Sequence, residues 1–167
     1  NFNTNHEFGL LVDGFDSDYV GADDRAGAEQ AIEHLVNLGH QRIAFVGGPV
    51  DSSARRERLQ GYQNGLERAG LPIDTDLILR TLVTRDDGYR ATAALCYNDV
   101  VAFGAMLGLR AANRRIGEDF AVVGFDNVSE AALWRPALTT VSIEPRQIGE
   151  TAARQMLERV RDPGLPP

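Results

Sequence analysis

The sequence predicts an α/β fold with doubly wound parallel sheets. Two observations indicate this class: short, nearly continuous apolar runs typical of strands covered on both faces, and amphipathic helical stretches between them. The 167 residues suffice for one domain, or for one lobe and part of another. With 43% apolar and 25% charged residues, the composition is that of an ordinary globular protein.

Strands and helices alternate along the chain. Apolar runs predict strands over residues 8–12, 42–46, 77–83, 95–97 and 120–125. Apolar positions at helical spacing predict helices over residues 24–38, 53–69, about 100–109 and about 146–160. The last helix is expected to turn a face inward that comprises Ile148, Ala152, Met156, Leu157 and Val160.

One segment is too short for the fold. A helix that begins near Gly88 and Tyr89 must end, turn and become the strand that finishes at Tyr97, with only seven residues between the two tyrosines. A parallel crossover needs about a dozen residues or more. We therefore expect residues to be missing between positions 89 and 97.

Charge and residue counts exclude several functions. A net charge of −7 argues against nucleic-acid binding by this chain alone, because phosphate contacts depend on Lys and Arg. The single Cys96 fits a reducing compartment, and three histidines without metal-ligand spacing predict no metal and no cofactor. The apolar runs fall far short of the roughly 20 residues of a membrane span, and no signal peptide is visible. We expect a cytoplasmic protein with no membrane partner.

Six phrases, in order, resemble the lactose/galactose-repressor (LacI/GalR) family of bacterial transcription regulators. They are VGADD at 20–24, LGHQRIAFVGGP at 38–49, RLQGY at 58–62, YNDVVAFG at 97–104, VVGFDN at 122–127 and PALTTV at 136–141. The resemblance implies a two-lobed fold like that of periplasmic sugar-binding proteins, with a small effector between the lobes. It also implies a homodimer that binds operator DNA through an N-terminal headpiece, which this chain lacks.

The resemblance suggests how the chain divides. Residues 1–48 are expected to form part of the N-terminal lobe, and residues 49–140 mainly the C-terminal lobe. Residues 141–160 form a return helix to the N-terminal lobe, and residues 161–167 form a tail. The N-terminal lobe is incomplete in this division, so the chain is interpreted as a partial sensor region.

Polar residues follow four of the predicted strands, at the edge where ligands bind in open parallel sheets. Asp13 follows the first strand, Arg58 lies on the helix after the second, Asn98 follows the fourth and Asp126 follows the last. A planar arginine fork with carboxylate and amide oxygens suits a sugar, polyol or carboxylate ligand. From spacing alone, however, Arg58 is also compatible with a solvated helix position and Asp126 with an ordinary turn.

The resemblance favours effector-binding roles for these residues. Arg58 matches the main effector-contacting arginine of the family, and Asp126 matches its acceptor for ligand hydroxyls. Asn98 is predicted to contact the ligand, while the adjacent Asp99 is predicted to cap the following helix.

Three further candidates each have an alternative. Asp13 and Asp23 match positions that reach the cleft in some relatives, but Asp23 or its neighbour Asp24 can equally cap the first helix. Trp134, the only tryptophan, is a candidate stacking platform at the cleft mouth, and simple packing is its alternative.

The sequence leaves three classes of function open. The leading one is a ligand-responsive transcription regulator, acting as a repressor, with a sugar or related polyol as effector. The second is a periplasmic sugar-binding transport receptor of the same fold, which an upstream signal peptide would indicate. The third is an enzyme, which is not favoured because Cys96 lies within an apolar strand and the serines at 52 and 53 have no histidine nearby in sequence.

Overall fold

The computed structural model describes residues 2–3, 6–8, 20–80, 91–162 and 164. The strands are β1 (Phe2–Asn3), β2 (His6–Phe8), β3 (Val20–Ala22), β4 (Ile43–Val46), β5 (Ile78–Leu79), β6 (Ala93–Cys96), β7 (Ala121–Asp126) and β8 (Thr139–Ser142). The helices are α1 (Asp24–Asn37), α2 (Ser53–Arg68), α3 (Asp99–Ala111) and α4 (Pro145–Arg161). Two short 3-10 helices lie at Thr75–Leu77 and Ser129–Ala132.

Six strands form one parallel sheet in the order β1-β8-β7-β6-β4-β5. The chain leaves β4 outward to β5, then returns past β4 to β6 and continues through β7 to β8. The winding direction therefore reverses between β4 and β6. In open parallel sheets, the crevice beyond the carboxyl ends of the strands at such a reversal is the usual ligand site.

Helices cover both faces of this sheet. On one face, α1 and α2 bury a cluster that includes Ile32, Leu35, Phe45, Tyr62 and Phe125. On the other face, α3 packs Ala102, Ala105, Met106 and Leu109 against Ala44, Val46, Ala94, Cys96 and Val122. Residues of β4 alternate between the two clusters, so that strand is covered on both sides. The predicted doubly wound α/β class is confirmed.

Glycines bring α1 and α2 into close contact. A Cβ atom at Gly61 would lie 2.3 Å from the backbone oxygen of Arg25 and 2.8 Å from Cβ of Ala28. One turn later, a Cβ atom at Gly65 would lie 2.7 Å from Cβ of Ile32. The small residues of α2 therefore let the two helix backbones approach as they could not with larger side chains. This packing fixes the position of Arg58, which lies one turn before Gly61 on α2.

The predicted helices agree with the structure more closely than the predicted strands do. β6 begins at Ala93, two residues before the predicted start, and β8 was not predicted as a strand. Of the strand predicted over 77–83, the structure shows the pair Ile78–Leu79. Residues 9–19 and 81–90 lie outside the described part of the chain. The prediction that residues are missing between positions 89 and 97 is therefore untested.

The sheet continues across the lobe boundary predicted at residue 48, because β4 before it pairs along its length with β6 after it. The division of the chain between two lobes otherwise stays a prediction. The inward face predicted for α4 is wrong from Ala152 onward: Ala152 is exposed, Met156 is 64% exposed, Leu157 54% and Val160 72%. Helix α4 follows β8 and contacts β3, and none of its residues is buried by the described elements.

Within the described ranges, every helix is too short or too polar to cross a bilayer.

Candidate functional site

The candidate site lies at the reversal between β4 and β6, beyond the carboxyl ends of these strands. After β4, the turn at residues 47–49 leads into α2 on one face of the sheet. After β6, Tyr97 and Asn98 lead into α3 on the opposite face. The beginnings of the two helices therefore diverge above the sheet, and this opening is where the strand-end residues converge.

Arg58 is the centre of the site. Its side chain is 8% exposed, and its Nε atom donates a hydrogen bond to Oδ1 of Asp24 at 2.8 Å. Its Nη2 atom donates to Oδ1 of Asp126 at 3.3 Å, and its Nη1 atom donates to the backbone oxygen of Tyr97. One guanidinium thus links the beginning of α1, the end of β6 and the end of β7. The structure brings together Arg58 and Asp126, as the sequence predicts.

Two aromatic rings enclose the flat guanidinium. The Cζ atom of Arg58 lies 3.8 Å from the ring centroid of Phe125 and 5.0 Å from that of Tyr97. A cation over the face of an aromatic ring is stabilised by the ring quadrupole, more so when water is excluded. Arg58 is therefore held by charge, hydrogen bonds and packing together.

The two carboxylates around Arg58 share one positive charge. Burial raises the pKa of Asp24 and of Asp126 above the usual value, and the opposing attraction of Arg58 does not fully cancel this effect. The folded protein therefore binds protons at these groups more tightly than the unfolded chain. The free energy of unfolding therefore falls as the pH rises from the ordinary pKa of an aspartate to the raised pKa of these groups in the folded protein. With both carboxylates ionised, the three side chains carry one net negative charge.

Tyr97 forms a wall of the same site. Its ring lies against the bare backbone of Gly48, where a Cβ atom would come within 2.7 Å of Cδ2 of the ring. Its hydroxyl lies 3.2 Å from Oγ of Ser52, the residue that caps α2. The turn after β4 therefore needs glycine for the ring to approach. Tyr97 was not among the predicted site residues, although its position directly before Asn98 was a usable signal.

The sequence-based roles of Asn98 and Asp99 are corrected by the structure. Asn98 caps α3, because its Oδ1 atom accepts a hydrogen bond from the backbone N–H of Val101 at 2.9 Å. Asp99, predicted as the cap, is 0% exposed and turns its carboxylate away toward Thr140 and Val128. An effector contact of Asn98 stays a prediction, and its Nδ2 atom is the donor it would offer.

The capping role of Asn98 can be measured. Asn98→Ala is expected to lower the free energy of unfolding by about 1 kcal/mol, because the first-turn N–H groups of α3 lose their acceptor. Asn98→Asp is expected to stay close to the wild type, because aspartate caps about as well. Urea denaturation of the two variants compares them, and an equal loss in both would contradict the capping role.

Asp23 and Asp24 have different roles, helix capping and binding of Arg58, which the sequence alone does not assign to one or the other. Asp23 caps α1 by accepting from the backbone N–H of Ala26 at 2.8 Å, whereas Asp24 binds Arg58. The ligand role predicted for Asp23 is untested, and Asp13 lies outside the described residues. Asp24, like Tyr97, belongs to the site but was not predicted as a site residue, since from the sequence it was only a candidate cap of the first helix.

Trp134 packs on the other face of the sheet from Arg58. Its ring stacks on Phe103 of α3 with 4.7 Å between centroids and 5° between planes, and it borders the α3 core cluster. Packing accounts for this geometry, which was the alternative left open from the sequence. A stacking contact between Trp134 and a ligand stays a prediction.

Among the described residues, no group of three or more His, Cys, Asp or Glu side chains is placed to hold a metal ion. His40 instead pairs through Nδ1 with Oγ1 of Thr92 at 3.1 Å, which links the turn after α1 to the loop before β6. The chemistry offered at the site is therefore that of carboxylate oxygens, amides, a hydroxyl and aromatic faces around a guanidinium.

Comparison with known proteins identifies the family. The model for the periplasmic binding protein-like domain matches residues 32–167. The chain belongs to this family. Within the family, a regulatory protein of the LacI family from Chloroflexus aggregans has a crystal structure that superposes with a TM-score of 0.81. It is 32% identical, and the match covers 93% of this chain and 60% of that one.

Other proteins that resemble this chain are also regulators. The HTH-type transcriptional repressor PurR of Vibrio atlanticus (strain LGP32) is 35% identical over 147 residues, which are 81% of this chain and 44% of the repressor. The structure of the transcriptional regulator CelR in complex with cellobiose has a TM-score of 0.77 at 34% identity, and the match covers 87% of this chain and 48% of that one. The predicted resemblance to LacI/GalR regulators is confirmed, and the chain spans less than half the length of PurR.

Proposed function

We propose that this chain is the effector-binding part of a ligand-responsive transcriptional repressor, and that its effector is a neutral polyhydroxylated molecule such as a sugar. The observation that carries the proposal is the Arg58 cluster. Three of the five N–H donors of Arg58 are already used: Nε binds Asp24, one N–H of Nη2 binds Asp126 and one N–H of Nη1 binds the backbone oxygen of Tyr97.

This arrangement favours hydroxyl groups over anions. A phosphate or carboxylate ligand would approach a cluster with one net negative charge and would have to share Arg58 with the two carboxylates that already bind it. A sugar hydroxyl can donate to a carboxylate oxygen that has a lone pair left and can accept from an amide. The Tyr97 ring, which is partly exposed beside the carboxylates, offers the apolar face of a sugar a flat partner.

The relatives support the regulatory part of the proposal. PurR is a transcriptional repressor and CelR a transcriptional regulator, and the solved structure of CelR is a complex with cellobiose. The effector would act by binding one arrangement of the protein better than another, since a ligand shifts a balance only by its differential affinity. Operator DNA would be bound by a separate N-terminal headpiece in a cytoplasmic homodimer. The exposed apolar residues Val100 and Leu107 on α3 are a surface that a second copy could cover.

A thermal-shift screen tests the proposal. The chain is heated with neutral sugars (D-ribose, D-galactose, cellobiose), their phosphate esters, nucleobases and small carboxylic acids. A ligand at one hundred times its Kd adds about 2.7 kcal/mol to the stability of the folded state, so a hit is visible. We expect a neutral sugar to raise the melting temperature.

Two variants localise any hit. Asp126→Asn removes a carboxylate at the carboxyl end of β7, and Asp119→Asn removes one just before the other end of the same strand, where it pairs with Arg115. The shift is expected to disappear in Asp126→Asn and to persist in Asp119→Asn. A shift that persists in both variants would place the ligand elsewhere, and a response to phosphate esters alone would contradict a neutral effector.

A further inference from the structure

We infer that Asp99 and Thr140 are positioning residues for the effector site, which hold the backbone turn at residues 126–127 in the conformation that presents Asp126 to Arg58. The inference rests on the proposed function, in which Asp126 contacts the effector. Neither Asp99 nor Thr140 is placed to touch a ligand, since both are 0% exposed.

The two side chains form a buried hydrogen-bonded pair. The Thr140 hydroxyl donates to Oδ1 of Asp99 at 2.5 Å, and Oδ2 of Asp99 accepts from the backbone N–H of Val128 at 2.8 Å. The Asp99 carboxylate lies directly over the backbone of Gly124, where a Cβ atom would come within 2.1 Å of Oδ1. The pair thus joins the beginning of α3 to β7, to β8 and to the turn that follows β7.

Thr140 connects this pair to the turn itself. Its hydroxyl oxygen also accepts a hydrogen bond from the backbone N–H of Asn127 at 3.2 Å. A threonine hydroxyl has one proton to donate, and here it goes to Asp99, so the oxygen lone pairs are left for Asn127. Two consecutive backbone N–H groups, those of Asn127 and Val128, are therefore fixed by one buried pair.

The turn needs such support because of its backbone conformation. Asp126 has a φ of 105° and Asn127 a φ of 54°, in the region that residues other than glycine seldom occupy. Strained backbone of this kind persists when its surroundings over-determine it, and it concentrates at functional sites. Without its two amide hydrogen bonds, the turn is free to relax, and the Asp126 carboxylate moves relative to Arg58.

Hydrogen exchange of the 167-residue chain tests the positioning role without a ligand. Thr140→Val keeps the shape of the side chain and removes the hydroxyl, whereas Thr140→Ser keeps the hydroxyl. Thr139→Val, the same change one residue earlier on β8, is the matched control. In Thr140→Val, the amide of Asn127 is expected to exchange at least tenfold faster, with the strand amide of Val123 unchanged. The serine variant and the control are expected to resemble the wild type.

Titration of the same proteins with D-ribose, D-galactose and cellobiose separates this inference from the proposed function. If one sugar binds the wild type, Thr140→Val is expected to bind it at least tenfold more weakly, with Thr140→Ser restoring affinity. Equal affinity in Thr140→Val and wild type would overturn the inference. If no sugar binds the wild type, the proposed effector class fails, and the exchange rates of Asn127 alone decide whether Thr140 holds the turn. An unchanged Asn127 rate in Thr140→Val would overturn it.

Discussion

Arg58→Met is expected to lower the free energy of unfolding by about 3 kcal/mol, the order of loss seen when one partner of a buried ion pair is removed. Methionine fills a similar space but leaves the carboxylates of Asp24 and Asp126 close together without the cation between them. It also removes the donor to the backbone oxygen of Tyr97 and the cation over Phe125. Urea denaturation, read as a change in midpoint at constant slope, measures the loss.

Two further variants distinguish charge from geometry. Arg58→Lys keeps the positive charge but cannot reproduce the planar fork, so an intermediate loss is expected. The triple variant with Asp24→Asn, Arg58→Met and Asp126→Asn removes all three charges and is expected to recover most of the stability, because the uncompensated carboxylates are gone. If Arg58→Met unfolds at the wild-type urea concentration, Arg58 is not the buried link that the structure shows.

Gly61→Ala is expected to destabilise the protein by roughly 2 kcal/mol, the range in which overpacking a tight contact falls. The new methyl group would lie 2.3 Å from the backbone oxygen of Arg25 and 2.8 Å from Cβ of Ala28, so α1 and α2 must move apart. This opposes the gain of about 1 kcal/mol that alanine otherwise brings to a helix interior. Because Arg58 and Asp24 lie on these two helices, effector affinity is expected to fall as well.

Gly108→Ala is the matched control on α3. A Cβ atom there has nothing within 4 Å, so the substitution is expected to raise stability by up to about 1 kcal/mol through helix propensity alone. Thermal and urea denaturation of the two variants should therefore shift in opposite directions. Shifts of the same sign and size would show that the α1–α2 contact is looser than the structure indicates.

Much of this architecture could be predicted from local pattern. The period of buried positions in α1, with Ala28, Ala31, Ile32 and Leu35, is readable from the sequence, and so is the continuous apolarity of β4. The rule that ligand sites lie beyond the carboxyl ends of parallel strands brings together Asp126, which ends β7, and Arg58, which lies on the helix after β4, although they are 68 residues apart in sequence. The short strand β8 was missed because Thr139 and Thr140 are polar, and the sequence does not show that Thr140 is buried with Asp99 as its hydrogen-bond partner.

The role of each individual polar residue depends on three-dimensional packing, which the hydrophobic pattern of the sequence does not show. Two adjacent aspartates at the beginning of α1 look alike in sequence, and only the α1–α2 packing turns Asp24 toward Arg58 while Asp23 caps the helix. The cap of α3 was assigned to Asp99 instead of Asn98 because either residue type can cap a helix, and only the structure shows that the Asp99 carboxylate lies in the space above Gly124. Effector contacts of Asn98, Asp13, Asp23 and Trp134 stay predictions.

We propose that the positive charge of Arg58 is already neutralised by Asp24 and Asp126, so that the effector site selects neutral hydroxylated ligands. The affinities for the neutral and the phosphorylated form of one sugar test this selectivity directly, because the two forms differ in charge and share their remaining hydroxyls. Asp24→Asn adds a second comparison, since it leaves Arg58 with one carboxylate and removes the net negative charge of the cluster.

The most direct measurement is calorimetric titration of the wild type and Asp24→Asn with D-ribose and D-ribose 5-phosphate, and with D-galactose and its 1-phosphate. The wild type is expected to bind the neutral sugar of a pair at least tenfold more tightly than its ester, and Asp24→Asn is expected to narrow this preference. Tighter binding of an ester by the wild type would contradict the claim, as would the absence of binding by any neutral sugar to protein shown to be folded.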